Sequence, residues 1–360
     1  MKKYFYLLFI LLLVKTSVLS QTGGDNVYKF LSIPTSARAT TLGGTYNSIY
    51  DNDASLAFQN PATLNTKMHK NLSLSYIPYF GGTTFGNFNY IHKFKPATFQ
   101  FGATYINYGK LEEYDEFGTQ TGLTTANEVM LQVGAGRSYK GKYKFGANSK
   151  FIVSQLGDYT SVGMAFDIAA MWTDSAHNVN VSLNISNLGF QFKPYRKGNQ
   201  ELLPVDVQLS FSHRLKHVPF RFIVTAHKLY QWDIRYDNPN VQQQSSSLFD
   251  EEKEVKPAVK VIDNIARHLI FGGEIYIGKV VTLGLAYNHL RRAELAIPAF
   301  GGLAGFSFGA GVQINRFKIE YGFAKYALPS SINHITLNID LGKSIKYKRK
   351  KKPSKKDVSI

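Results

Sequence analysis

The sequence predicts an all-β protein, a transmembrane antiparallel outer-membrane β-barrel of about fourteen strands. Two observations lead there: apolar and polar residues alternate through most of the chain, and the N-terminus has the features of an export signal. From Val179 to Ile185 every second residue is apolar, and the residues between them are Asn or Ser. This alternation indicates strands with one apolar and one polar face. A soluble β-sandwich is the alternative, but polar faces rich in Asn, Gln, Asp and Gly favour a barrel with a polar lumen.

Residues 1–20 are predicted to be a secretory signal peptide. Met1-Lys2-Lys3 is positively charged, the run from Tyr4 to Val14 is apolar, and a cleavage position precedes Gln21. No later run supplies the roughly twenty apolar residues that a membrane-spanning helix needs. Since closed barrels are the other structure that satisfies its backbone in lipid, the sequence predicts an integral outer-membrane protein.

Three further segments follow from composition. Residues 21–70 combine small residues and turn signals without sustained alternation, which predicts a hatch that fills the lumen. Within it, Asn60 and Pro61 suit a helix N-cap and first helical position; a water-channel motif would require a second copy in a helical bundle. Residues 71–342 form the predicted barrel. Residues 343–360 are a basic tail, either solvated and disordered or in electrostatic contact in the periplasm. Export argues against nucleic acid as its partner.

The connections between predicted strands differ in length according to whether they follow an even- or an odd-numbered strand. Those after even-numbered strands are short, whereas 110–126, 187–204, 231–266 and 291–304 are long. Barrels have short periplasmic turns and long surface loops, so both chain ends are expected in the periplasm. Many Lys and Arg residues lie beside the short turns, in a chain of net charge +17. They are either simply solvated or form a basic periplasmic rim that meets anionic lipid or an acidic partner.

Little in the sequence indicates catalysis or metal binding. It has no His-Glu-x-x-His and no phosphate-binding glycine loop followed by Lys and Ser or Thr. The Gly-x-Ser-x-Gly match at Gly305 to Gly309 lies among glycines that fit close-packed strand positions. Its nine histidines are scattered singly, and the chain has no cysteine for a nucleophile or thiolate zinc site. We therefore expect a protein that is not an enzyme, with no catalytic residues, cofactor or metal. A barrel-wall hydrolase remains a minor alternative, since neighbours on adjacent strands need no motif.

Several short motifs, in order from about residue 23 to about 342, resemble the PorQ family, outer-membrane components of the type IX secretion system of Bacteroidetes. The motifs are Gly23-Gly24, Tyr28 to Leu31, Ser36 to Arg38, Leu42 to Gly44, Asn60 to Ala62, Ser75 to Phe80, Asn187 to Tyr195, Pro219 to Phe222, Ala266 to His268, Phe271 to Glu274, Tyr287 to His289 with Arg291-Arg292, and Ala304 to Gly309. The basic tail lies outside this resemblance.

The resemblance implies a barrel similar to the fatty-acid transporter FadL, with an N-terminal hatch. It implies a role in the attachment complex, in which the barrel holds a PorZ-like surface protein at the membrane. PorU- and PorV-like proteins of that complex are further expected partners, together with outer-membrane lipid and lipopolysaccharide. The family brings no catalytic residues. The alternative is a FadL-like transporter of hydrophobic small molecules, which would need a continuous apolar pocket and an opening.

Partner binding on the cell surface would use aromatic and Arg side chains of the long loops. The loop 231–266, with 187–204 and 291–304, is the hypothesised docking region. Its candidate contact residues are Tyr195, Arg196, Trp232, Arg235, Tyr236, Arg291 and Arg292. The alternative for each aromatic residue is packing among the loops or at the membrane interface.

Overall fold

The computed structural model describes residues 26–235, 257–295, 303–325 and 331–343. The described chain contains fourteen strands: β1 (Asn71–Pro78), β2 (Thr84–Lys93), β3 (Thr98–Tyr114), β4 (Gln120–Tyr139), β5 (Tyr143–Leu156), β6 (Tyr159–Asp174), β7 (Val179–Lys193), β8 (Asp206–Arg214), β9 (Phe220–Ala226), β10 (Leu269–Ile277), β11 (Val281–Asn288), β12 (Phe306–Ile314), β13 (Phe317–Lys325) and β14 (Ser331–Asp340). The signal peptide, Tyr236 and all but the first residue of the basic tail lie outside the described residues.

Each strand pairs antiparallel with its neighbour in sequence, and β1 pairs with β14 from Asn71↔Asp340 to Tyr76↔Ile335, so the sheet closes on itself. The predicted fold class, a closed antiparallel barrel of fourteen strands, is confirmed. Closure leaves no free sheet edge, which is the condition for placing strands in lipid.

The two faces of the wall differ as the alternation predicts. On β4, Val129, Leu131 and Val133 point outward and are exposed, whereas Glu128 and Gln132 point into the lumen and are buried. The same arrangement recurs around the barrel, so large apolar side chains form an outward belt. A bilayer covers such a belt, and the fold is that of outer-membrane proteins. None of the described helices is both long enough and apolar enough to cross a membrane.

The hatch lies inside the lumen and consists of short helical turns. These are α1 (Ala37–Thr41), α2 (Ala54–Gln59) and the 3-10 turns Lys29–Ser32, Pro61–Thr63 and Thr66–Met68. Side chains cap four of them: Ser36 accepts from Ala39 N, Asp53 from Ser55 N, Asn60 from Ala62 N, and Asn65 from Lys67 N. Helices of five or six residues are unstable alone, so their stability comes from packing against the wall.

The long connections differ partly from expectation. The predicted loop 110–126 is largely strand, because β3 runs to Tyr114 and β4 starts at Gln120. Likewise, β7 continues to Lys193 inside the predicted loop 187–204. Two further helices, α3 (Pro257–Arg267) and α4 (His289–Glu294), lie at the same end of the barrel. Strands that extend past the lipid lose the alternating signal because both of their faces contact water.

Candidate functional site

Arg38 on α1 fixes the hatch to the barrel wall through buried ion pairs. Its Nε and Nη2 donate to the two carboxylate oxygens of Glu274 on β10, at 2.7 and 3.0 Å. Its Nη1 lies 2.9 Å from Asp51 and 3.0 Å from Asp53, both in the hatch. The bidentate contact gives this Arg a single orientation, since the guanidinium fork matches one carboxylate.

Three more wall residues extend this cluster. Arg221 Nη1 lies 3.1 Å from Glu274 Oε2, and Lys318 Nζ lies 2.8 Å from Asp53 and 2.5 Å from Glu320. We call the set the lumen ion network, and it comprises Arg38, Asp51, Asp53, Arg221, Glu274, Lys318 and Glu320. Burial by itself raises the pKa of the Asp53 carboxyl, but Lys318 and Arg38 outweigh it and hold that pKa well below its usual value.

A second hatch contact is formed by the turn at Asn60 and Pro61. Asn60 Nδ2 donates to Asn47 O at 2.6 Å and to Ser182 Oγ on β7 at 2.9 Å. Pro61 is the first residue of the 3-10 turn and lies against the backbone of Gly136 and Gly146, where a Cβ atom would come within 2.5 Å of it. The close approach of this turn to the wall therefore requires glycine in β4 and β5.

Part of the lumen is apolar. There, hatch residues pack against inward-facing wall residues in one cluster, formed by Val27, Tyr28, Phe30, Phe58, Ile77, Phe85, Ile106, Met130, Ile152, Ala165, Leu203 and Ile332. A cavity of about 100 Å³ remains beside it, lined by Phe30, Phe58 and Met130 but also by Lys150 and Asp206. The apolar space is thus largely occupied by the hatch itself.

At the end of the barrel with the long connections, α3 carries its polar side toward the protein. Asn264 Nδ2 donates to Trp232 O, and Asp263 lies 2.8 Å from Arg267 and 3.1 Å from His289 of α4. The opposite side of α3 exposes Val261, Ile262 and Ile265, with Ile262 67% exposed. The neighbouring Trp232 is 65% exposed and stacks on His268. These four apolar residues, Trp232, Val261, Ile262 and Ile265, are called the extracellular patch below, after the side of the membrane on which the sequence predicts the long connections.

The other candidate contact residues take different positions. Arg196 is exposed, with its guanidinium 5.3 Å from the Tyr159 ring. Tyr195 is half-buried, its hydroxyl donates to Ser154, and it packs against the apolar lumen cluster. Burial raises the pKa of Tyr195 to about 12. Tyr195 is therefore part of the lumen packing, and it contacts the β5 side of the barrel rather than the extracellular patch.

Three further candidate arginines make contacts within the chain. Arg291 Nη2 donates to Gly43 O at 3.2 Å, so this side chain points to the hatch. Arg292 Nη1 lies 3.5 Å from Ala304 O, and Arg235 lies 3.7 Å from Asp233. Of the predicted contact residues that the structure describes, only Trp232 belongs to the extracellular patch. The apolar residues of α3 were not among the predicted contact residues, because they recur with a helical period inside a segment that was predicted to be a loop.

His227, at the base of the extracellular patch, is expected to make this region acid-sensitive. Burial, with help from Lys228, lowers the pKa of His227 to about 3, and its Nε2 has no hydrogen-bond partner within the described chain. An unfolded imidazole protonates near pH 6.5, so stability falls as the pH drops from 6.5 toward 3. At pH 5 the loss is about 2 kcal/mol.

Hydrogen exchange of residues 227–235, compared at pH 7.5 and pH 5 after correction for intrinsic exchange rates, measures this loss. His227→Phe should remove most of the pH difference. His217→Phe, in the exposed turn between β8 and β9, is the matched control and should retain it. Equal pH dependence in the two variants would contradict the assignment to His227.

Comparisons with known proteins return fold relatives only. No protein-family model matches the chain, and no curated protein matches it. Among solved structures, one similar barrel is the toluene transporter TodX of Pseudomonas putida, at 11% identity over 83% of this chain and 95% of that one, with a TM-score of 0.46. Another is the CymD monoaromatic hydrocarbon channel, at 12% identity over 86% of this chain and 97% of that one, with a TM-score of 0.48. A Pseudomonas aeruginosa FadL homologue is also similar, at 12% identity over 85% of this chain and 98% of that one, with a TM-score of 0.45.

Their names match the second of the two functions expected from the sequence, the passage of hydrophobic molecules, and none of them names an attachment complex. Likeness at these identities and TM-scores concerns the barrel fold alone and carries no argument about substrate. The resemblance to the PorQ family has no matching family model.

Proposed function

We propose that this barrel is a non-enzymatic outer-membrane component that holds a surface-exposed protein of the PorZ-like kind, as part of a secretion attachment complex. The observation that carries the proposal is the extracellular patch. A large aromatic residue and three branched aliphatic residues stand exposed at the end of the barrel with the long connections. Exposed apolar surface of this kind marks an interaction site, and Trp is among the residues that contribute most to binding energy.

The construction of α3 supports this reading. Its polar residues are used to fix the helix to Trp232 and α4, and its apolar residues are left outward. An ordinary surface helix has the reverse arrangement, with its apolar side against the protein. Because the polar contacts hold the apolar side chains in place before binding, little ordering cost remains when a partner covers them.

The lumen ion network supports a holding role in a second way. It fastens the hatch to β10 and β13 with paired buried charges, and Arg221 of β9 lies 3.7 Å from Asp51 of the hatch. Breaking a buried ion pair by removing one partner costs about 3–5 kcal/mol, so a hatch held by several pairs gives the barrel a rigid interior. A rigid barrel with an exposed patch suits attachment of another protein.

A second candidate, uptake of hydrophobic small molecules, is favoured by the apolar lumen cluster. Residues such as Ile77, Phe85 and Met130 line the wall, and hatch residues Val27 and Phe30 occupy the space between them. If those hatch residues withdrew, an apolar chamber would open, as a transporter requires. Toluene and monoaromatic hydrocarbons are the substrates named for the similar barrels TodX and CymD.

One preparation distinguishes these two functions. Tagged protein is purified from gently solubilised outer membranes, and co-purifying proteins and bound lipids are both identified by mass spectrometry. Recovery of a large surface protein is expected for wild type. An isolated barrel that carries an alkyl or aromatic molecule and no protein would support uptake instead.

Ile262→Asp is expected to reduce recovery of that partner strongly, because it places a charge in the centre of the contact. Loss of one hot-spot residue costs about 2 kcal/mol, roughly a thirty-fold loss of affinity. Leu202→Asp is the matched control, since Leu202 is equally exposed (68%) on the β7–β8 connection. Undiminished recovery with Ile262→Asp, or an equal loss with Leu202→Asp, would contradict the assignment of the patch.

A further inference from the structure

A groove of about 430 Å³ lies on the outward face of the wall across β4, β5, β6 and β7. Its floor is formed by small residues, Ala135, Ala147 and Ala170, while the larger Phe145 and Ile168 stand beside them. Strand pairing brings these together, because Ala135 is paired with Ala147 and Phe145 with Ala170. The lining is almost entirely apolar, and it continues the belt that faces the lipid.

A second groove, of about 580 Å³, lies at the end with the short turns, between the hatch and the β2–β3 turn. Four basic residues line it: Lys67, Lys93, Lys95 and Arg137. All four are exposed, and none forms an ion pair within the described ranges. Asp51 is the one acidic residue in this lining, and its carboxylate is already paired with Arg38. The groove is therefore strongly positive.

The two grooves are continuous, since Ala97, Gly136 and Arg137 line both. A ligand that fills them has an alkyl chain on the lipid side and an anionic group at the periplasmic rim. We propose that these grooves form a binding site for a glycerophospholipid of the periplasmic leaflet. The acyl chain lies over Ala135, Ala147 and Ala170, and Arg137 with its neighbouring lysines binds the phosphate.

Two physical arguments favour this ligand over a soluble anion. The apolar groove faces the membrane, where acyl chains are the surrounding solvent. The small residues of its floor let an acyl chain approach the wall more closely than the larger side chains beside the groove do. The phosphate of such a lipid lies at the membrane interface, the level at which the four basic side chains emerge. Arg pairs with phosphate through two parallel N–H···O bonds, which gives the head group a defined position.

The site also adjoins the hatch across a single layer of backbone. Gly136 lines both grooves, and a Cβ atom at this position would lie 2.5 Å from Pro61 O inside the lumen. The lipid and the hatch turn at Asn60 and Pro61 therefore contact opposite faces of the same strand pair. Occupancy of the groove supports the wall at the point where the hatch presses on it.

The test is native mass spectrometry of the purified full-length protein after exchange from nanodiscs of defined phosphatidylglycerol into detergent. Wild type is expected to retain a phospholipid. Ala147→Phe fills the groove, and losing the burial of about two methylene groups lowers retention about tenfold. Arg137→Gln is expected to lower retention similarly by removing the bidentate phosphate contact.

Matched controls lie on the opposite wall. Ala310→Phe enlarges an outward residue on β12, seven strands from β5 in the barrel order, and Lys279→Gln removes an exposed cation from the β10–β11 turn. Both should retain lipid as wild type does, and heat-modified gel mobility confirms that each variant forms a barrel. Equal retention by Ala147→Phe and Ala310→Phe would show adventitious annular lipid only. Displacement of the lipid by an equal concentration of glycerol 3-phosphate would show a phosphate site without chain recognition, and either result overturns the proposal.

Discussion

Arg38→Met is expected to release the hatch from the barrel wall and to destabilise the protein by about 3 kcal/mol. The substitution keeps an unbranched side chain that reaches as far as the Arg Nε position, but it removes the cation that contacts Glu274, Asp51 and Asp53. Glu274 then retains Arg221 and Asp53 retains Lys318, yet four buried or half-buried carboxylates share two cations. An uncompensated buried charge is the costly product of removing one member of such a cluster.

Hydrogen exchange at α1 and thermal unfolding of the purified barrel measure this effect. Arg235→Met is the matched control, because its contact with Asp233 is 3.7 Å long and Asp233 is exposed, and such pairs contribute at most about 1 kcal/mol. The double variant Arg38→Met with Glu274→Gln should regain part of the lost stability, because it removes one of the buried carboxylates that share the remaining two cations. Unchanged exchange at α1 in the single variant would show that the lumen ion network does not hold the hatch.

Gly146→Ala is expected to displace the turn at Pro61 and to cost about 3 kcal/mol. A Cβ atom on Gly146 would lie 2.3 Å from Pro61 C and 2.7 Å from Ala62 N. Both are backbone atoms, so no side-chain rotation relieves the clash, and the hatch or the strand must move. The effect is steric rather than conformational, since the φ angle of Gly146 is one that alanine adopts.

The same Gly→Ala change at position 86 provides the control. Gly86 lies on β2 with open space where its Cβ would be, so Gly86→Ala should leave stability unchanged or slightly raised. Exchange protection of residues 60–64 and the thermal midpoint are the measurements. Equal midpoints for the two variants would mean that the hatch turn adapts without cost, and would remove the argument that glycine is required there.

The barrel was predictable from sequence because its wall separates two solvents. Lipid outside and a polar hatch inside impose a period of two on each strand, as seen between Val179 and Ile185. Where the strands leave the lipid, that constraint ends. Glu112, Glu113 and Thr124 are paired as strand residues in β3 and β4. Their side chains do not alternate between two different environments, so the sequence predicted a loop in this segment.

The lumen contacts could not be predicted in the same way. Arg38 and Glu274 are 236 positions apart, and no local motif links them. The sequence indicated that Arg291 would lie on the surface, because a long connection was expected there, whereas the structure directs it to Gly43 of the hatch. Which face of a short helix such as α4 is buried depends on tertiary neighbours, and these follow only once the barrel is closed.

The hairpin of β3 and β4 has a consequence for the space above the barrel. Crossing a bilayer takes roughly 10 strand residues, but β3 has 17 and β4 has 20. The surplus raises the turn by about 20 Å, at roughly 3.3 Å a residue with allowance for tilt. Phe117 at the tip is 92% exposed.

Because β3 and β10 are seven strands apart in the closed order, this hairpin rises across the barrel mouth from the α3–β10 corner. A molecule that settles on that corner therefore has a wall on its far side. Such a molecule can approach only from the side or from above. The rest of it must fit inside the barrel mouth or extend away from the hairpin.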